Sequence, residues 1–120
     1  MARFRGDPMV SVPCHPLSTI IAMAGMGNTS FDFLSLDVEG SEYMVLATSD
    51  LSAFKLVMVE MESANERGPE REAIRARVVG LLRAAGFTRY PRLEHNPFGR
   101  TWGINHVYVH RRFAACAIRP

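Results

Sequence analysis

Apolar positions along the chain alternate between two spacings. Leu17, Ile20, Ile21 and Ala24 recur at helical intervals, and Gly25, Gly27 and Asn28 follow where that helix should end. Residues 33–38 (FLSLDV) and 56–60 (LVMVE) are instead nearly continuous apolar runs that stop at carboxylates. Runs of this kind are strands buried on both faces, as a parallel sheet between helices requires. Between them, residues 40–47 offer Tyr43, Met44 and Leu46 for a short helix, enough chain for a crossover between parallel neighbours.

The clearest helix spans residues 69–85. Pro69 suits its first turn, Glu70 and Glu72 its positive end, Arg83 its negative end, and Gly86 its termination. Ile74, Val78, Leu81, Leu82 and Ala85 form its buried stripe, which leaves Arg71, Arg75 and Arg77 on an expected solvated face. Residues 87–90 and 106–110 read as two further strands, with a turn-rich stretch over 93–105 between them. Residues 9–12 form a short β-prone piece closed by Pro13 and Pro16. Strands alternating with helices define an α/β class.

At 120 residues the chain holds one domain. A net charge of +2 is too balanced to suggest nucleic acid or an anionic membrane as a partner. No apolar run reaches the length of a membrane span. Two arginines near the N-terminus precede the apolar run at 17–26 in the manner of a secretory signal, but Asp7, Pro13, His15 and Pro16 interrupt it, so an ordinary helix is expected. Cys14 and Cys116 make neither a disulfide framework nor a zinc pattern, so a reduced, cytoplasmic setting is the default.

Candidate chemistry concentrates in the segment Asp37-Val38-Glu39-Gly40-Ser41-Glu42, where a strand ends and a helix begins. In open α/β sheets ligands bind at that carboxyl edge. Asp37 and Glu39 share one strand parity and so point to the same crevice, and Glu60 stands beside them if the two strands are neighbours. Such carboxylates can hydrogen-bond a cofactor or substrate, act as a general base, or hold a divalent cation. The plainer alternative is that Glu39 and Glu42 cap the helix and Asp37 orders the turn. Gly25 and Gly27 follow a helix and precede a strand, the wrong context for a phosphate cradle. His15, His95, His106 and His110 lack a third ligand at zinc-like spacing, so no metal is expected. Cys14 beside His15 is a weak candidate nucleophile, and Phe98, Trp102 and Tyr108 fit either a pocket floor or the core.

The run Asp32-Phe33-Leu34-Ser35-Leu36-Asp37-Val38-Glu39-Gly40-Ser41-Glu42, followed by Val45-Leu46 and Val57-Met58-Val59-Glu60, resembles the FkbM family of S-adenosylmethionine-dependent methyltransferases. Leu81-Leu82-Arg83-Ala84-Ala85-Gly86-Phe87 resembles that family's leucine-leucine-x-x-x-glycine-aromatic segment, and Val12, Leu17 and Ile21 the approach to the preceding helix. Ser18 stands where the family often carries aspartate. The resemblance implies an α/β, Rossmann-like class I methyltransferase sheet with an antiparallel last strand. It also implies S-adenosylmethionine as methyl donor and an oxygen of a small molecule or carbohydrate as acceptor. Asp37, Glu39 and Glu60 occupy its catalytic acidic positions.

The family's first strands, with the glycine-rich cofactor loop, have no counterpart in this sequence. The expected organisation is therefore an extension over 1–9, the C-terminal part of a methyltransferase domain over 10–112, and a tail over 113–120. Either the chain is a truncated methyltransferase or another chain supplies the missing half. The rival reading is a non-catalytic remnant that binds a partner through the strand at 33–38, left at the sheet edge.

Overall fold

A computed structural model describes residues 10–61, 68–94 and 105–114. Its elements run α1 (Leu17–Met23), β1 (Phe31–Leu36), α2 (Glu42–Ala47), β2 (Phe54–Glu60), α3 (Pro69–Ala84), β3 (Phe87–Arg89) and β4 (Asn105–His110). Short 3-10 turns lie at Leu51–Ala53, Pro91–Glu94 and Arg111–Phe113.

The four strands form one mixed sheet in the order β1-β2-β4-β3. β1 and β2 are parallel, with Leu36 opposite Val59, so both strands end at the same edge. β4 runs antiparallel to β2 and to β3. The last strand is thus antiparallel, as expected, and among the described residues β1 is an edge strand.

One sheet face carries Leu36, Val57, Val59 and Tyr108, which pack in a single cluster with Leu46 of α2 and Val78 and Leu82 of α3. Val57, Val59 and Leu82 are wholly buried; each such side chain stabilises the fold by about 1.5–3 kcal/mol. The opposite face is barer toward β1, where Phe33 is 52% exposed, Ser35 is exposed, and Leu56 and Met58 are half-buried.

Several boundaries differ from the sequence reading. β1 begins at Phe31 and stops at Leu36, which leaves Asp37 and Val38 beyond the ladder. Its start is fixed by the parallel partner, because Phe31 stacks on Phe54 at 5.5 Å. Residues 10–12 form no strand and lie exposed. α1 ends as expected: Ala24 is its C-cap, and Gly25 takes φ +75 with its N–H on the Ala22 carbonyl at 2.9 Å. α1 has no fully buried residue, and only Leu17 and Ile21 lean on the core. Among the described residues no helix is long and apolar enough to cross a membrane.

Candidate active site

After Leu36 the chain leaves β1 and reverses through Glu39 and Gly40, whose φ values are +51 and +104. The Ser41 N–H closes this turn on the Val38 carbonyl at 3.3 Å. Two successive positive φ values are the signature of a type I′ turn. Gly40 adopts that conformation freely, whereas Glu39 holds it against about 1–2 kcal/mol of steric cost.

Glu42 stabilises the turn from beneath. Its Oε1 accepts the Gly40 N–H at 3.0 Å and the Val38 N–H at 3.3 Å, while Oε2 lies 3.8 Å from Arg71 Nη1 of α3. Glu42 sits on the buried face of α2, one helical turn before Leu46. It therefore organises the loop ahead of α2, and the Ser41 side chain makes no cap bond. Neither Asp37 nor Glu39 caps that helix in the described residues.

Arg71 departs from the expected solvated face. It is buried together with Val78 and Leu82, because position 71 lies seven residues before 78 and so belongs to the stripe. The spacing was present in the sequence; the acidic partner Glu42 on α2 helps make a buried arginine tolerable there. Arg77 is exposed yet packs its guanidinium 3.8 Å from the centre of the Tyr43 ring, a second tie between α2 and α3. Arg75 pairs with Glu72 at 3.3 Å.

The turn brings Asp37 and Glu39 to the end of β2. Carboxylate oxygens of Asp37, Glu39 and Glu60 all lie within 4.8 Å of one another. The three acids marked out in the sequence thus meet, but not through shared strand parity, since both Asp37 and Glu39 lie outside β1. The left-handed turn is what folds them together.

Asp37 and Glu39 are exposed, whereas Glu60 is half-buried, with its Oε2 sealed from solvent and without a hydrogen-bond partner among the described residues. Burial lifts the Glu60 carboxyl from 4.5 to about 7, helped by a hydrogen bond with Asp37 and by the negative charges of Asp37, Glu39 and Glu42. A carboxyl with that midpoint exchanges protons near neutrality, and the neighbouring carboxylates can accept a proton or hold a cation through oxygen.

The other candidates do not converge. His106 and His110 share a face of β4, but His110 is buried edge-on against Phe87 at 5.0 Å, and its Nδ1 accepts the Arg112 N–H. Burial and the nearby Arg112 and Arg111 charges hold its pKa below the usual imidazole value. Tyr108 lies in the core, where burial raises its pKa, so it floors no pocket. Glu94, which the pattern did not single out, is buried with both oxygens on the Arg89 guanidinium at 2.8 Å and a further bond from the Val107 N–H. Arg89 and these contacts hold its carboxyl low. Cys14 is exposed. His95, Phe98, Trp102 and Cys116 lie outside the described residues.

In this open α/β sheet the three acids gather at the carboxyl edge of neighbouring parallel strands, the edge where ligands bind in such sheets. The chain belongs to the FkbM methyltransferase family: the model of the methyltransferase FkbM domain matches residues 6–89, a span that contains the whole acidic turn, β2 and α3. The domain is that of a methyltransferase. Neither the curated proteins nor the solved structures yielded a match.

Proposed function

We propose that the protein transfers a methyl group from S-adenosylmethionine to a hydroxyl oxygen of a small molecule or carbohydrate, with the acidic cluster receiving the hydroxyl proton. The meeting of Asp37, Glu39 and Glu60 within 4.8 Å, in a chain of this family, carries the reading.

When bound, S-adenosylmethionine supplies an electrophilic methyl carbon. The described residues fit the acceptor side of such a site better than the donor side. Their Gly25 follows α1 as a terminator, and the strand-to-helix turn after β1 carries a single glycine, Gly40, rather than a glycine-rich loop. This chain's own part is then proton handling. Asp37 or Glu39 would take the hydroxyl proton as the acceptor oxygen bonds to the methyl carbon and the carbon–sulfur bond breaks to leave a neutral thioether, and Glu60 would hold or release a proton at the inner wall. Glu42 and Arg71 keep the turn in place and act only through it.

The sheet order supports a Rossmann-like class I arrangement in which residues 10–112 are the C-terminal part of the domain. The bare edge of β1 and the exposed Phe33 beside it are where a further parallel strand with its helix would dock, from another segment or another chain. The test is label transfer from methyl-labelled S-adenosylmethionine to a panel of hydroxylated acceptors by the native protein. Transfer that falls about a hundredfold in Asp37→Asn or Glu39→Gln supports the reading. Transfer to nitrogen or carbon acceptors alone would overturn it.

A further inference from the structure

His110 ends β4 with its imidazole buried and both ring nitrogens engaged. Nδ1 accepts the Arg112 N–H at 3.2 Å, so the ring caps the 3-10 turn Arg111–Phe113 that follows it. The same nitrogen faces Arg112 Nε at 3.4 Å. The other side of the ring hydrogen-bonds the Ala85 backbone, with Nε2 3.2 Å from where a Cβ on Gly86 would stand. The neutral ring protonated at Nε2 satisfies this pattern, because Nδ1 must keep its lone pair for N–H donors.

The capped turn is strapped to two further elements. The Arg111 N–H donates to the Gly86 carbonyl at 2.9 Å, and Arg112 Nη2 donates to the Ser52 carbonyl at 3.1 Å. The charges around the ring are mostly positive or already committed. Arg111 and Arg112 belong to the turn, and α3 ends with the exposed Arg83. Lys55 of β2 lies 5.5 Å from the centre of the Phe113 ring and pairs with Asp32, while Arg89 of β3 is bound to Glu94. No carboxylate among the described residues pairs with the imidazole. A proton added at Nδ1 would therefore turn an acceptor into a donor that faces other donors and two guanidinium charges.

We propose that His110 is a proton-operated clasp: neutral, it holds the Arg111–Phe113 turn against Gly86 and Ser52, and protonated it releases that turn. The released turn uncovers the half-buried Phe113, whose ring stands 6.2 Å from the imidazole. In the open turn His110 regains an ordinary midpoint near 6.5, whereas burial and the two arginines keep it lower in the closed one. Between those values opening takes up a proton, so the open fraction grows about tenfold per pH unit as pH falls below about 6.5. The clasp lies at the far end of β4 from the acidic turn, since Asn105 stands opposite Glu60 and His110 is the last residue of the strand. It rests on neither methyl transfer nor the acidic cluster.

The test follows the native chain by magnetic resonance from mildly alkaline to mildly acidic pH. Imidazole nitrogen shifts give the tautomer and midpoint of His110, and amide exchange, corrected for its intrinsic pH dependence, gives the opening at Arg112. An Nε2–H tautomer is expected above neutrality. Arg112 protection should fall about tenfold per pH unit below about 6.5, while the Val57 and Val59 amides of β2 stay protected. His110→Asn offers an oxygen in place of Nδ1 and has no proton to gain, so its Arg112 protection should not vary with pH. That comparison also separates the clasp from Glu60, which titrates near 7. Arg112→Gln removes one guanidinium charge and keeps the backbone donor, and it should raise the His110 midpoint. An Nδ1–H tautomer above neutrality, Arg112 protection that stays constant into the acidic range, or the same pH dependence in His110→Asn would each overturn the proposal.

Discussion

Glu42 of α2 and Arg71 of α3 stand 3.8 Å apart with their side chains only 3% and 10% exposed, so the acidic turn rests on a buried ion pair. Removing one partner strands the other charge in a site from which water is largely excluded, and this costs far more than losing a surface pair. Arg71→Met should lower the unfolding free energy by about 3–5 kcal/mol in denaturant titration. A loss below about 1 kcal/mol would mean that the pair is effectively solvated.

The turn above that pair depends on Gly40. Its φ of +104 is in the left-handed region, and a Cβ there would meet Arg71 Nη1 at 3.1 Å. Gly40→Ala should therefore destabilise the protein by about 1–3 kcal/mol, read from thermal or denaturant unfolding. Gly80→Ala on α3, where an added Cβ meets nothing within 4 Å, is the matched control and should be neutral or slightly stabilising.

Glu60 predicts a specific pH dependence in buffer free of divalent cations. Its folded pKa of about 7 lies above the ordinary value of 4.5. Between those two values the folded protein holds a proton that the unfolded chain has released. Stability contributed by this group is thus fully present below about pH 4.5 and is lost as pH rises through about 7. Glu60→Gln should flatten that slope and raise the melting temperature at pH 8 relative to the parent. An unchanged slope in the variant would assign the titration to another group.

Turnover and stability should separate at the two exposed acids. Asp37→Asn and Glu39→Gln keep size while removing charge from groups that cap no helix in the described residues. Methyl transfer should drop by about a hundredfold in at least one variant, with little change in melting temperature. If activity per folded molecule persists while stability falls by about 0.5–2 kcal/mol, these residues serve the turn instead.

The 120-residue chain should bind S-adenosylmethionine weakly. Gly25 terminates a helix and so offers no N-terminal backbone donors to the cofactor. Calorimetric titration checks this; micromolar affinity, about −8 kcal/mol, would show that this chain holds the donor after all.

The sequence by itself determined most of the segments that become strands and helices and which acids sit near their ends, but not the exact ends of β1 or the lack of a strand at 10–12. The runs at 33–38 and 56–60, and the stripe from Ile74 to Ala85, could be placed because apolar periodicity follows local geometry, at 2.0 or 3.6 residues per repeat, although the first strand ends at Leu36. It also carried the family, through the acidic-glycine-acidic run at 37–42. Tertiary structure decided the rest. That Arg71 is buried, that Glu42 holds the Val38 and Gly40 amides, and that Glu60 titrates near neutrality all depend on α2, α3 and β2 converging on one point. Burial and charge separation are relations between elements distant along the chain, and no local spacing encodes them. Asp37 and Glu39 show the difference most directly. Parity along a strand pointed both to one crevice, yet the ladder stops before either, and they meet Glu60 because Glu39 and Gly40 turn left-handed over a buried carboxylate.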